Sequence, residues 1–364
     1  MRALLVFVLA LGCNAQALFR AQNVTASGGG SYSLNKTITF DHTKAPSTQA
    51  NFPALITFTD TSFKSTGNGG SITNASGYDI VFATAAGCAS PMTYEMAYWN
   101  PATGFVEAWV SIASLSSSVD TVIHLCGGNA AITTFQGGAA GAVWTAAGTY
   151  TLVSHFPNGS TLSLSDYSGN GRNGTNSAGT AVTGVADGGI GTAASSYATF
   201  PQSSLTGLTT ATVSIWVKTT TTSAQWPLGS GLGVCASNGF GGIHMNSAGS
   251  QNAASYVDSG NAIDSTHTTT DGNWHRLKMV YTPTTVSIKV DANTAVTTTG
   301  ITNPAIGSGD ALDVGSYCSN GASGADNFVG SLDELQVLNG TTTDDQDTTE
   351  FNNISSPGTF YSIT

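Results

Sequence analysis

Residues 272–291 read GNWHRLKMVYTPTTVSIKVD. Two strand-like runs, His275–Tyr281 and Thr285–Asp291, stand here with turn-forming residues between them. Trp274, Leu277, Met279 and Tyr281 recur with an imperfect period of two, which suits a partly buried sheet face. Working outward, similar runs cover Ala211–Lys218, Ala311–Val314 and Ser331–Leu338. Earlier ones are Thr37–Phe40, Ala54–Phe58, Tyr78–Thr84, Met92–Trp99, Phe105–Ile112 and Thr121–Leu125. In Ala211–Lys218 the apolar Ile215 and Val217 alternate with Trp216, which predicts the indole on the opposite face. No long segment carries an apolar stripe at helical spacing, and Asp344–Asn353 alone reads as a short helix. Many short strands with close turns predict an all-β chain built from two β-sandwich domains.

Composition agrees. The 364 residues include 52 Thr, 42 Ser and 44 Gly, and only 9% are charged, against about 25% in an average soluble protein. With 40% apolar residues the chain can bury a core in each of two domains. The formal charge of −11 excludes the basic footprint that nucleic acid requires, and disfavours a grip on anionic membranes. Seventeen acids are Asp and four are Glu (Glu95, Glu107, Glu334 and Glu350). Asp suits turns and calcium loops, whereas Glu suits sugar-cleaving acid/base work, so the balance tilts from hydrolase towards binding module.

Residues 1–17, MRALLVFVLALGCNAQA, have the pattern of a secretory signal: Arg2, an apolar run from Ala3 to Leu11, and Ala15-Gln16-Ala17 as cleavage site. The run is too short to span a bilayer. A lipid anchor through Cys13 is the alternative, since Leu11-Gly12-Cys13 partly resembles a lipobox. Four cysteines remain: Cys88, Cys126, Cys235 and Cys318. They allow three pairings, of which Cys88–Cys126 and Cys235–Cys318 is the simplest because each pair stays within one half. The Gly/Ala-rich stretch Gly127–Gly141 reads as a linker. It divides an N-terminal domain at 18–142 from a second at 143–364.

The second half resembles the laminin-G-like, concanavalin A-like jelly roll of bacterial secreted proteins. The resemblance rests on Asp166-Tyr-Ser-Gly-Asn-Gly-Arg-Asn-Gly174, Thr212-Val-Ser-Ile-Trp-Val217, Gly272-Asn-Trp-His-Arg-Leu-Lys-Met-Val280, Val286-Ser-Ile-Lys-Val-Asp291 and Gly330-Ser-Leu-Asp-Glu-Leu-Gln-Val337. The tail from Glu350 to Phe360 is similar too. The first half looks like a domain of unknown function that often precedes this jelly roll, through Gly77–Phe82, Tyr98–Gly104 and Ala108–Val110. In related jelly rolls the first and last strands pair, so the resemblance implies that the tail Thr359–Ile363 meets the start of the second domain.

The resemblance also implies calcium near the loops of Asp166 and Asp333, with Asn170 and Asn173 as helpers. The competing reading is that both aspartates cap turns. Glu95 and Glu107 flank a hairpin turn at Asn100–Gly104. If Trp99 faces Phe105, Glu95 faces Trp109 and Glu107 faces Ala97, all on one sheet face. Two carboxylates beside tryptophans have the look of a glycosidase, but a one-residue register change destroys the arrangement, and a solvated polar face is the simpler reading. The six histidines are scattered singly, with no metal or nucleophile motif around them. Trp226, Phe240, His244, Asn246, Tyr256 and Asp258 lie in polar segments of the second domain and are the candidate sugar-binding residues.

The sequence therefore reads as a secreted, non-catalytic protein that binds a glycan or a surface protein, with calcium bracing the second domain. A subunit of a self-associating extracellular filament and a polysaccharide hydrolase or lyase are the alternatives, because jelly rolls serve all three roles.

Overall fold

A computed structural model describes residues 31–229, 242–246, 252–257, 261–299, 311–317 and 326–364, with the backbone alone for 252–257, 261–264 and 266. The signal and Cys13 lie outside the described residues, as do Cys235, Cys318, Phe240 and Asp258; of Tyr256 the backbone alone is described.

Six strands open the first sandwich: β1 (Leu34–Phe40), β2 (Gln49–Thr59), β3 (Val81–Ala83), β4 (Tyr94–Asn100), β5 (Phe105–Leu115) and β6 (Thr121–Gly127). A short helix, α1 (Ala142–Ala147), leads into the second sandwich. Its strands are β7 (Tyr150–Ser154), β8 (Thr175–Ser177), β9 (Thr180–Thr183), β10 (Gly188–Thr192), β11 (Tyr197–Phe200), β12 (Ala211–Lys218) and β13 (Gln225–Gly229). They continue as β14 (Gly242–Met245), β15 (Asn252–Val257), β16 (Asn261–Thr268), β17 (Trp274–Tyr281), β18 (Thr285–Val290), β19 (Val296–Thr299), β20 (Leu312–Val314) and β21 (Gly330–Leu338). Helix α2 (Asp344–Ser355) and strand β22 (Tyr361–Ile363) come last. All-β architecture and the late helix are as the sequence indicates.

In the second sandwich one sheet runs β19-β18-β17-β12-β21-β10-β9, with β7 also on β21, and faces a sheet ordered β16-β15-β14-β13-β20-β11-β8. Alternation fills the space between them with Ile190, Phe200, Val213, Ile215, Leu277, Met279, Val314 and Leu335, all buried. Trp216 points the other way, as alternation predicts, and stacks on Phe351 of α2 at 5.5 Å and 9°.

The first sandwich packs a sheet β22-β1-β6-β3 on a sheet β2-β5-β4 over Phe40, Ile56, Phe82, Tyr94, Val110 and Leu125. Cys88 and Cys126 are disulfide-bonded, as expected. The tail does not behave as the resemblance implies. Strand β22 pairs with β1, with Ile38 opposite Ile363, while β7 pairs with β21, with Ser154 opposite Leu335. The physical reason is the path of α2. Its inner face is fixed to the second sandwich by ion pairs of Arg276 with Glu350, Lys278 with Asp347 and Lys289 with Asp344. Its far end is fixed to the first, where Asn353 Oδ1 accepts from Leu55 N at 2.7 Å and Nδ2 donates to Leu55 O at 3.0 Å. Phe360 then lands between Phe40 and Phe52, and Tyr361 donates its hydroxyl to Thr57 O at 3.0 Å.

The Gly127–Gly141 stretch is not a free linker. Tyr94 N donates to Gly137 O at 3.0 Å, and a Cβ at Gly137 would stand 2.1 Å from Tyr94 O. Only glycine lets this stretch lie so close to β4. Phe135 follows it down and packs on Tyr94 with ring centres 5.0 Å apart. Between the sandwiches lies a separate buried cluster, formed by Leu55, Trp109, Trp144, Val153, Trp216 and Ile354.

Because the last strand completes the first sandwich, Phe360→Ala is expected to destabilise that sandwich by about 3–5 kcal/mol. Denaturant unfolding followed at the first sandwich checks this; a loss confined to the second would contradict it.

Candidate functional site

The β4–β5 hairpin sets the site. Glu95 lies opposite Trp109 as the sequence suggests, but Tyr98, not Ala97, lies opposite Glu107, and Trp99 opposes Val106. A β-bulge between Met96 and Tyr98 adds one residue and flips the parity beyond it. Trp99 consequently packs towards the core of the first sandwich. Its Nε1 donates to Phe63 O at 2.9 Å, and Gly77, at φ +71°, lies beneath the ring where a Cβ would be 2.8 Å away.

Glu95 and Glu107 stay on the outer face, which the second sandwich largely covers: Glu107 is sealed there, while Glu95 keeps an opening to solvent. His155, just after β7, is buried between the two domains. Its Nδ1 meets Glu334 Oε2 at 2.8 Å and its Nε2 meets Glu95 Oε1 at 2.9 Å. Trp144 Nε1 donates to the same Glu95 oxygen at 2.8 Å. Trp109 stacks on the imidazole at 4.9 Å and 20°, and Tyr167 closes on it at 4.7 Å. Burial disfavours the imidazolium, but Glu334 and Glu95 outweigh it and hold the His155 pKa well above the usual histidine range.

Glu334 reaches this point through a second bulge. In the β12–β21 ladder Trp216 pairs with Asp333 but Ser214 pairs with Gln336, so two residues of β21 stand against Ile215. Leu332 and Leu335 remain in the core, and Asp333 and Glu334 both leave it. Glu334 takes φ +49°, a left-handed conformation costing about 1–2 kcal/mol. Its N–H donates to Asp333 Oδ1 at 2.7 Å.

Glu107 is fully buried, and neither carboxyl oxygen has a hydrogen-bond partner; Glu334 Oε1, Trp109 Nε1 and Ser154 Oγ are likewise unpartnered. Burial, then the charge of Glu334, pushes the Glu107 carboxyl well above the usual carboxylate range. Asp333 is raised in the same way, by burial and then by Glu334.

In front of this cluster opens a groove of about 610 Å³. Half-buried rings of Tyr78, Tyr98, Trp99, Phe135 and Tyr167 line it, and Glu95 is its one charged lining residue. The Glu95 side chain is 13% exposed. One oxygen is held from behind by His155 and Trp144, which leaves the other for a ligand in the groove.

The residues expected to bind calcium are arranged otherwise. Asp166 Oδ1 accepts from Val153 N at 3.2 Å and Ser168 N at 2.8 Å, while Oδ2 accepts from Arg172 N at 2.8 Å. Asn173 Oδ1 accepts from Asp166 N at 2.8 Å, and Asn170 Nδ2 donates to Tyr150 O at 3.1 Å. Asp333 Oδ2 accepts from Val185 N at 2.8 Å. These oxygens are aimed at N–H donors that a cation would have to displace, so the donor set does not fit calcium, and Asp166 and Asp333 organise separate loops. Among the described residues, Asp41, His42 and Asp120 alone come together with ligand-like spacing. They lie on the outside of the first sandwich, and nothing there points to an ion beyond the cluster itself.

The expected sugar-binding residues converge in part. Trp226 packs on His244 at 4.5 Å and on Tyr317 at 4.3 Å. Asn246 instead ties down the backbone, donating to Thr221 O at 3.0 Å and Ser223 O at 2.9 Å. Sequence reasoning missed His155 and Trp144, which carry no motif, and Tyr167 and Glu334, which lie in the quoted stretches Asp166–Gly174 and Gly330–Val337 without any signal for this site. The available signal was scarcity: of only four glutamates, two meet at one histidine and a third, Glu107, is buried near them.

Residues 191–346 match the family model of the Concanavalin A-like lectin/glucanases superfamily. The second sandwich is a concanavalin A-like jelly-roll domain. No curated protein matches the sequence. Among solved structures, the chain is similar to domain 4 of AbnA, a GH43 extracellular arabinanase from Geobacillus stearothermophilus, in complex with arabinotriose. Identity there is 19%, over 56% of this chain and 98% of that one, with a TM-score of 0.44. The binding domain of Paraclostridial Mosquitocidal Protein 1 is 12% identical over 56% of this chain and 52% of its own, with a TM-score of 0.42. A mutant Trypanosoma rangeli sialidase displaying trans-sialidase activity is 13% identical over 57% and 34%, with a TM-score of 0.44. No helix among the described residues is long and apolar enough to cross a membrane.

Two outcomes follow from the site and the jelly-roll loops. A group whose pKa is raised on folding stabilises the protein fully below its unfolded value, and that contribution disappears as pH climbs through the folded value. The decline starts near 4.5 for Glu107 and near 6.5 for His155. The melting temperature should therefore fall as pH rises from about 5 through neutrality, up to the Lys278 value of about 8, and Glu107→Gln should flatten the fall. A parent curve that climbs over this range, or a variant with unchanged slope, contradicts the assignment. Chelation by EDTA is expected to shift the melting temperature by less than about 1 °C; a drop of several degrees, lost in Asp166→Ala, would restore calcium.

Proposed function

We propose that the protein binds glycans, and that the groove between Tyr78, Trp99 and Tyr167 is its principal sugar site. The observation that carries this reading is a row of half-buried aromatic rings beside one oriented carboxylate. Sugar rings present flat C–H faces to aromatic side chains and hydroxyls to carboxylates. Two features favour binding without turnover. The second carboxylate, Glu107, is sealed behind the sheet, where a substrate has no access. The Glu95 oxygen facing His155 is already occupied by two N–H donors. The superfamily of the jelly-roll domain holds lectins as well as glucanases, which is consistent with the proposal. The Cys88–Cys126 disulfide suits an oxidising compartment outside the cytosol.

A hydrolytic reading is favoured by one observation, the Glu334–His155–Glu95 relay, which holds a carboxylate ready as base or nucleophile at the groove. Reducing-sugar release from a polysaccharide panel tests it, with Glu95→Gln as the control.

Affinity electrophoresis and calorimetry against soluble polysaccharides and their oligomers test the binding reading. Tyr98→Ala and Tyr78→Ala should each weaken binding about tenfold while leaving the melting temperature close to that of the parent. Retention of full affinity in the Tyr78→Ala, Tyr98→Ala double variant would move the site elsewhere.

A further inference from the structure

We infer that the groove selects glycans carrying free, protonated amino groups, the chemistry of a glucosamine polymer. The inference rests on the glycan-binding reading and names its ligand class. Its first support is the character of the lining. Thirteen residues line the groove, and none is Lys, Arg, Asn or Gln. A neutral sugar is usually held by amides and cations as well as acids, because each hydroxyl both donates and accepts. Here the one charged group is the carboxylate of Glu95, an acceptor alone, beside the hydroxyl-bearing Ser76, Tyr78, Tyr98 and Tyr167, and an ammonium meets that carboxylate with charge as well as donors.

The second support is the ring set. Tyr78, Tyr98, Trp99, Phe135 and Tyr167 line the same groove as one carboxylate, a combination that attracts an ammonium through the ring quadrupoles and by direct charge. The third is the charge behind the wall. A single imidazolium, His155, is matched by two carboxylates, Glu95 and Glu334, so its charge does not cancel theirs. Acids outnumber bases around the groove, as they do over the whole chain. The volume of about 610 Å³ exceeds what one ammonium group fills and leaves room for sugar rings beside it.

Calorimetry on the full chain compares hexamers of glucosamine, N-acetylglucosamine and glucose at about pH 6, below the range of an α-amino group. The glucosamine hexamer should bind at least about tenfold tighter than the other two. That advantage should shrink at about pH 9, and with added salt as screening grows. Glu95→Gln should reduce glucosamine binding to the level of the neutral hexamers, whereas Asp120→Asn, on the remote surface, should not. Comparison of the three sugars on the unmodified protein needs no variant, so the test stands if Glu95→Gln folds poorly. Equal binding of all three sugars overturns the selectivity and leaves the glycan-binding reading intact. Binding of none overturns both. Oligolysine binding as tightly as the glucosamine hexamer would overturn the glycan part of the inference.

Discussion

One imidazole held between two carboxylates from different domains organises this molecule. His155 belongs to the start of the second sandwich, Glu334 to its β21, and Glu95 to the first sandwich. Buried ions are costly to desolvate, and removal of one partner leaves the others uncompensated. The two sandwiches therefore have a strict mutual geometry. If they slid by a few ångströms, His155 would lose the Glu95 contact inside an apolar shell of Trp109, Trp144 and Tyr167. The same geometry fixes Glu95 at the groove, since its inner oxygen is tied to His155 and Trp144. The site is precise because the interface behind it admits few alternatives.

Much of the fold was legible because it depends on alternation. Ile215 and Val217 inward with Trp216 outward, and the strand runs around Trp274 and Val286, follow from a period of two, and these are the segments that build the jelly roll. The site was largely illegible because it depends on two interruptions of that period. The bulge between Met96 and Tyr98 turns Trp99 inward, and the bulge at Glu334 lets two adjacent acids leave the core together. A bulge has no side-chain signature of its own: it is favoured by tertiary packing, here by Gly77 under the Trp99 ring and by the Asp333 carboxylate on the Glu334 amide. His155 was equally silent, because its partners lie 60 and 179 positions away in the chain.

The aspartates teach the complementary lesson. A loop such as DYSGNGRNG is rich in oxygen, and oxygen-rich loops serve cations and turns alike. Which use prevails depends on where the backbone N–H groups point. Two amides of this loop and one of β7 converge on Asp166, and the oxygen that a metal would take is already the hub of the turn. The fourth glutamate, Glu350, is used similarly for architecture: with Asp347 and Asp344 it fastens α2 to the cationic face of β17 and β18, where Arg276, Lys278 and Lys289 are otherwise buried without compensation.

The return of β22 to β1 has a consequence for the order of events during synthesis. A ribosome delivers the first sheet early, but its outer strand is encoded at the far end, so that sheet stays one ribbon short until the jelly roll between them has been made. Its predecessor in the sequence cannot close its first sheet before then. In assembly, the opening module is finished last.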